Sequence, residues 1–591
     1  MTVVAVATMA TVATAGTPSP AGAGQLSGFG TSGRVVETGV NRLDVSVRPD
    51  GDLVAVGVGG AGHGSFTVVE RKPDGTPDTG FGDAATPGRK VLTVTLPAYS
   101  DDVFGPAGAG LDAAGNLTVA FSSDIGGMLA RVRPDGSLDP AYGGGDGVLD
   151  DQSCGNALDA TIMPSGVAYT LSHPMGFQFG PDGCPGMTVR RYSAQGTKDA
   201  TWGNQGRSGY TVTGAHFDER LFGSALAVDH TGRVVVAGAR SLGEPRVAIA
   251  RMTALGQTDA AFGTAGLVEL DPDTGAFAVF PTFSGGAVGS FTAGHHSKMA
   301  TDVAVDAAGR VVAVGTTCPT ATANSCTSPT SIWALRLGTD GQPDPTFGTG
   351  GYARIDPTAG DDYALTVTSL PSGRVVVGGF HGTGPVREFV SVLTADGRPD
   401  QAFAPAGTVL ADFGVAATES QQPSDIAVAS EDRFAVAANV HDPALARFTA
   451  SISAYDAGDA AFHPISPLRV MDTREALGGI TLAPGETRTL PIAGTGTIPT
   501  NATAVALNLT IDKPSTPGYL TAWPTGTNRP TASSINFTPG QTIANGITVG
   551  LGTNGQLDLY NPSGTTDVII DITGWYQPSS VFGPISPLRV M

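Results

Sequence analysis

Basic side chains are scarce in this chain: 33 lysines and arginines stand against 53 aspartates and glutamates, a formal net charge of −20. No run of Lys or Arg is longer than two residues. The dense basic face that phosphate neutralisation requires is therefore missing, and a nucleic-acid partner is excluded. Helical periodicity is almost absent. So are H-E-x-x-H, G-x-S-x-G, the Walker phosphate loop and any G-x-G-x-x-G between a strand and a helix, which removes the enzyme classes that carry a local signature and leaves no cofactor to expect. No apolar stretch is long and unbroken enough to span a bilayer. The nearest, MTVVAVATMATVATAGTPSPAGAG, holds A-x-A sites ending at Ala15 and Ala23 but no basic segment before its apolar core. Residues 1–25 are read as a signal-like leader.

Histidine and cysteine are also sparse, nine and four residues. Of nine histidines, His295 and His296 are adjacent in GGAVGSFTAGHHSK, where neighbouring side chains of an extended segment point apart. Asp271, Asp273 and Gly275 in DPDTG resemble the start of a calcium loop, but the late bidentate Glu is missing. The four cysteines fall into two local pairs, Cys154 with Cys184 and Cys318 with Cys326, with no C-x-x-C and no His at ligand spacing. In an exported protein they are expected as two disulfides.

What the chain has in abundance is glycine, 83 residues, with 42 prolines and 41 % apolar residues. That mixture suits many short strands joined by tight turns. One phrase recurs: a Gly turn, then Asp-x-x-aromatic, usually followed by Gly. It places Asp78 with Phe81, Asp139 with Tyr142, Asp199 with Trp202, Asp259 with Phe262, Asp344 with Phe347, Asp400 with Phe403 and Asp459 with Phe462. A remnant, GFGTSG around Phe29, opens the series, and Ala404 and His463 replace the Gly in the last two copies. Arg recurs five residues before the turn Gly at Arg131, Arg191, Arg251 and Arg336. Asp is expected to cap the turn and Arg to pair with it, a structural role that repeats seven times. Between the aromatics lie hairpin phrases such as VSVRPDGDLVAVG at 45–57, LAVDHTGRVVVAG at 226–238 and VAVDAAGRVVAVG at 303–315. About four strands per unit of roughly 60 residues predict an all-β chain whose residues 26–462 form a seven-bladed β-propeller.

These phrases resemble the delta-60 repeat family, tandem repeats of bacterial surface and secreted proteins that are expected to be propeller-like. The resemblance implies no reaction. From Phe462 the texture changes, and residues 463–577 read as eight or nine short strands of a smaller antiparallel β-sandwich. The phrases PLRVMDTR, SSINF and DITGWY resemble a domain that recurs at the ends of actinobacterial secreted and wall-associated proteins. FGPISPLRVM at 582–591 repeats FHPISPLRVM at 462–471, so residues 578–591 are read as a linker and the start of a truncated second copy.

The expectation is thus a monomeric, secreted or cell-surface, non-enzymatic binding or scaffold protein. Its propeller would present a face to a protein or a cell-wall glycan. The terminal module would act as a wall anchor or spacer, with Trp523 and Tyr560 as candidate glycan-stacking platforms and the module core as their other assignment. The alternative is a polysaccharide-active propeller hydrolase or lyase, whose dispersed carboxylates would leave no local motif.

Overall fold

The computed structural model describes residues 25–576 except for internal stretches, of which the longest are 95–102, 174–187, 209–220, 278–299, 318–328 and 412–419. Residues 1–24 of the leader, all four cysteines, His295, His296, Asp273, Gly275, Asp459 and residues 578–591 lie outside the described residues. The chain divides into two compact units, residues 1–457 and 458–591. Among the described residues no helix is long and apolar enough to cross a membrane.

The first unit is all-β and consists of small antiparallel sheets, numbered here I to VII in chain order. Sheet V shows the plan. Ala300–Val305, Val311–Thr317, Ser331–Leu337 and Tyr352–Ile355 pair in sequence order, each antiparallel to the one before. The first strands of the other sheets are Asn41–Val47 (I), Val103–Leu111 (II), Asn156–Ile162 (III), Leu221–Val228 (IV), Asp362–Ser369 (VI) and Ser420–Val428 (VII). Each first strand packs against that of the next sheet, and that of sheet VII packs against that of sheet I. Sheet VII takes its fourth strand from the other end of the unit: Arg34–Thr38 pairs with Arg447–Asp456, Arg34 opposite Ser453 and Thr38 opposite Thr449.

The repeated phrase builds the contact between successive sheets. Phe262 of sheet IV is fully buried against Trp333 and Leu335 of sheet V, and Phe347, Tyr142 and Trp202 are buried in equivalent places. Over the aromatic lies the turn glycine of the following repeat. A Cβ on Gly341 would come within 2.9 Å of the Phe262 ring, and one on Gly256 within 2.8 Å of Trp202. The residue after the aromatic closes the joint. Gly143, Gly203, Gly263 and Gly348 donate N–H to carbonyls of the next repeat's turn, at Gln195, Leu255, Asp340 and Asp396.

One position departs from the sequence reading. Phe462, counted above as the seventh repeat aromatic, belongs to the second unit, where its strand Phe462–Asp472 pairs with Asp567–Tyr576. The seventh place is taken by Phe29: it is buried, and Gly30 donates to Asp74 O at 2.7 Å as Gly143 does to Gln195 O. The reason is the shared sheet. Because the strand at 34–38 completes sheet VII, the phrase just before it occupies the position that the end of the last repeat would otherwise fill. The boundary moves accordingly from 462/463 to 457/458.

The second unit has two four-stranded antiparallel sheets whose inward residues, among them Leu507, Ile570, Leu520 and Leu559, share one apolar core. The PLRVMDTR phrase forms its corner. Asp472 is buried and accepts from Arg474 Nη2 at 2.9 Å and Arg469 Nη1 at 3.1 Å, while Thr473 Oγ1 donates to Asp567 at 2.8 Å.

The turn glycine provides a test. Gly341 sits at φ +76° with no room for a Cβ, whereas Gly350, at φ +60°, has nothing within 4 Å. Gly341→Ala adds overpacking to left-handed strain and should cost about 2–4 kcal/mol. Gly350→Ala carries the strain alone, about 1 kcal/mol. Denaturant midpoints of the two variants should differ in that order, and equal midpoints would remove the aromatic joint as the cause.

Candidate functional site

The six described aspartates of the repeat phrase are held inside the fold. Each accepts a backbone N–H two residues on, from Gly80, Ala141, Thr201, Ala261, Thr346 and Ala402. Each also meets a cation. Arg131, Arg251 and Arg336 donate through Nε to Asp139, Asp259 and Asp344, all at 2.8 Å, and stack over Tyr142, Phe262 and Phe347 at 4.8, 4.4 and 4.6 Å. Arg191 bonds Asp199. Where the third strand supplies no Arg, a neighbouring residue does the same: Lys72, just after the third strand of sheet I, reaches Asp78 at 2.8 Å, and Arg374, just before the second strand of sheet VI, reaches Asp400 at 3.3 Å. The Lys72 ammonium, with the Gly80 N–H, holds the Asp78 carboxyl below the usual range. Asp52, Glu70 and Asp78 bring one oxygen each within 4.8 Å of one another, but Lys72 bonds two of them and Arg48 the third, so each acid of this cluster already has a cationic partner.

A different set of residues meets in a cavity of about 370 Å³ lined by all seven first strands. Every first strand is irregular at the same level: the register against its second strand slips between Asn41 and Asp44, Pro106 and Gly108, Ala157 and Asp159, Gly223 and Ala225, Ala300 and Asp302, Ala364 and Thr366, and Pro423 and Asp425. A bulge leaves backbone groups outside the ladder and re-aims the side chain beside it. Here that side chain crosses to the next sheet. Asp159 accepts from Ala160 N at 2.7 Å and from Leu226 N of sheet IV at 2.5 Å. Asp302 accepts from Val303 N and from Val367 N of sheet VI, both at 2.7 Å. Asp425 accepts from Ile426 N at 2.7 Å and from Val45 N of sheet I at 2.8 Å. Asp44 accepts from the Ala109 N–H of sheet II. Ser224 and Ser424 complement them, donating to the Ala300 and Leu43 carbonyls of the next sheet. Where sheet II meets sheet III, Gly108 leaves no space for a side chain: a Cβ there would lie 2.3 Å from Ala160 O.

Four carboxyls thus converge on one cavity. Burial pushes Asp302 up to about 7, against the opposing N–H bond from Val367. Burial and the Asp302 charge raise Asp159 well above the carboxylate range. Asp44 is raised well above it by burial and by Asp425, and Asp425 itself is raised by burial. The sequence reading missed all four. Their signal was present: Asp44, Asp159 and Asp302 each stand seven residues before a hairpin glycine, Gly51, Gly166 and Gly309, one residue outside the hairpin phrases at 45–57 and 303–315.

The two candidate stacking residues of the second unit differ in exposure. Trp523 is 5 % exposed and donates Nε1 to Thr527 O at 3.3 Å, so its ring is not offered to a ligand. Tyr560 is half-buried and has the Arg529 guanidinium 3.7 Å from its ring centre. Asp271 ends the fourth strand of sheet IV, Leu267–Asp271.

Asp302 gives a pH test. Its folded value near 7 lies above the unfolded one near 4, so the folded state holds the extra proton and stability falls as pH rises through that window, levelling above about 7. Asp302→Ala removes the acceptor for the Val367 N–H and should cost about 1–3 kcal/mol at pH 5. The gap to wild type should narrow towards pH 8. Urea midpoints between pH 5 and 8 measure this, and a gap constant with pH would be the contrary result.

No family model matches the chain, and no curated protein matches it. Solved structures with a similar course include Drosophila Plexin A in complex with Semaphorin 1b, at 9 % identity and TM-score 0.35 over 74 % of this chain and 88 % of that one. A protein of unknown function from Dyadobacter fermentans shows 13 % identity and TM-score 0.34 over 73 % of this chain and all of its own. An exo-β-1,3-galactanase from Phanerochaete chrysosporium shows 11 % identity and TM-score 0.27 over 94 % of this chain and all of its own. Likeness at this level assigns no activity.

Proposed function

We propose that residues 26–457 close into a seven-bladed β-propeller of the delta-60 kind and that the chain is a secreted or cell-surface binding or scaffold protein without catalytic activity. The cyclic packing of first strands and the strand shared between the two ends of the unit support the closed form. In this reading the propeller presents a face to a protein or glycan, and residues 458–576, a β-sandwich, serve as wall anchor or spacer. The observation that carries it is the use made of the cavity acids. Asp159, Asp302 and Asp425 each have both carboxylate oxygens occupied by backbone N–H groups, one from the same strand and one from the next sheet. An acid so engaged holds strands together and is not free to approach a substrate.

A second reading has one observation in its favour. The same four carboxyls converge on a concave site, and burial raises each of them, Asp302 to about 7, the direction that a general acid of a polysaccharide-cleaving enzyme needs.

One experiment separates the two. The purified protein is incubated with isolated cell walls and soluble wall polysaccharides, and both sedimentation with the walls and release of reducing ends are followed. Retention without release is expected. Release of reducing ends that Asp159→Asn abolishes would replace the binding reading by the enzymatic one, and neither retention nor release would sink the wall-anchor role.

A further inference from the structure

The bulge position of the first strands reads Asp44, Gly108, Asp159, Ala225, Asp302, Thr366 and Asp425 in sheets I to VII. Acid and non-acid alternate along the chain. Asp159 and Asp302 therefore each stand between non-acid neighbours. The number of sheets is odd, however, and sheet VII lies beside sheet I, so Asp425 and Asp44 are adjacent.

Asp425 has both oxygens occupied by N–H donors, Oδ1 by Ile426 and Oδ2 by Val45. Val45 follows Asp44 in the chain, and the Asp44 carboxyl lies within hydrogen-bond reach of Asp425 while accepting the Ala109 N–H. Two ionised carboxylates are acceptors only and repel, so a hydrogen bond between them requires that one keep its proton. We propose that Asp44 and Asp425 hold one proton between them, carried by Asp44 and donated to Asp425, which makes the junction of sheets I and VII a clasp that loosens as pH rises.

The position of the proton follows from the partners. Asp425 accepts two N–H bonds, which favour its anion, and Asp44 accepts one and is left to donate. The charged groups around the pair are Asp159 and Asp302 across the cavity and Arg42 on the strand of Asp44; the facing residues Pro106, Ala107, Ser224, Thr301, Thr366 and Asn439 are uncharged. The charge of Asp159 disfavours a negative charge on Asp44. The rest of the junction is neutral: Ser424 Oγ donates to Leu43 O at 2.6 Å, and Asn439 Oδ1 accepts the Arg42 N–H at 2.5 Å. Sheets V and VI show the same joint built without a second acid, since Asp302 takes its extra hydrogen bond from the Thr366 side chain.

The test uses the full chain and urea unfolding between pH 5 and 8. Asp44 is protonated when folded and ionised when unfolded, so unfolding releases its proton and a rise in pH favours the unfolded state. Asp44→Asn keeps both hydrogen bonds with no proton to lose, its amide N–H donating to Asp425 and its carbonyl accepting from Ala109. Asp44→Thr copies the Asp302–Thr366 joint. Each variant should release one proton fewer on unfolding than wild type, and its midpoint should rise relative to wild type as pH increases. Variants that run parallel to wild type would overturn the proposal. If Asp44→Asn does not fold, Asp44→Thr carries the comparison. Wild-type protein with no protonated-carboxyl band in the infrared at pH 6 would overturn it whatever the variants do.

Discussion

Everything in the first unit depends on how backbone groups are satisfied where one sheet ends and the next begins. Neighbouring first strands pack side by side, yet they belong to separate sheets and share no ladder. A buried N–H left there without a partner would cost a few kcal/mol. The bulge and the carboxylate beside it solve this locally. Asp159, Asp302 and Asp425 each bridge from their own strand to an N–H of the next sheet, and Ser224 and Ser424 do the converse for a carbonyl. A side-chain carboxylate is suited to this because its two oxygens accept from two directions. The consequence is electrostatic. Acids recruited to join strands are gathered around one cavity and pushed towards their neutral forms.

Farther out along each sheet the same problem is met with different chemistry. The contact there is apolar, an aromatic under the turn glycine of the next repeat, and the polar groups sit behind it. A buried Arg is held between the carboxylate of the repeat Asp and the face of the aromatic. Burying such a pair contributes little net stability, but loss of one partner strands the other charge. That explains why sheets I and VI, which have Glu70 and Val392 where Arg stands in the other repeats, still bring a cation to the Asp from another place, Lys72 and Arg374. Each described repeat Asp meets a cation, whichever position that cation comes from.

Strand content and turn positions were legible in the sequence, because both rest on short-range physics. Alternating apolar residues around a glycine with positive φ make a hairpin wherever they occur, and the phrases at 226–238 and 303–315 are such hairpins, with Gly232 at φ +81° and Gly309 at φ +78°. The all-β character and the repeat spacing follow from the same local rules. The roles of Trp523 and Phe462 were not legible. A tryptophan in a strand reads alike whether it faces a core or a ligand, and Phe462 fits the spacing of a repeat whose last copy the chain completes from its other end.

What the sequence determined by itself was therefore each unit of the repeat: its strands, its turns, its aromatic and its Asp. What only the tertiary structure decided was which units touch. Asp44 and Asp425 lie 381 residues apart, and nothing near either predicts the other. They meet because Arg34–Thr38 completes the sheet of Ser420–Val428 and brings the first strand of sheet I beside it. Adjacency of that kind is set by pairing between strands from the two ends of the unit, a long-range constraint that no local pattern encodes.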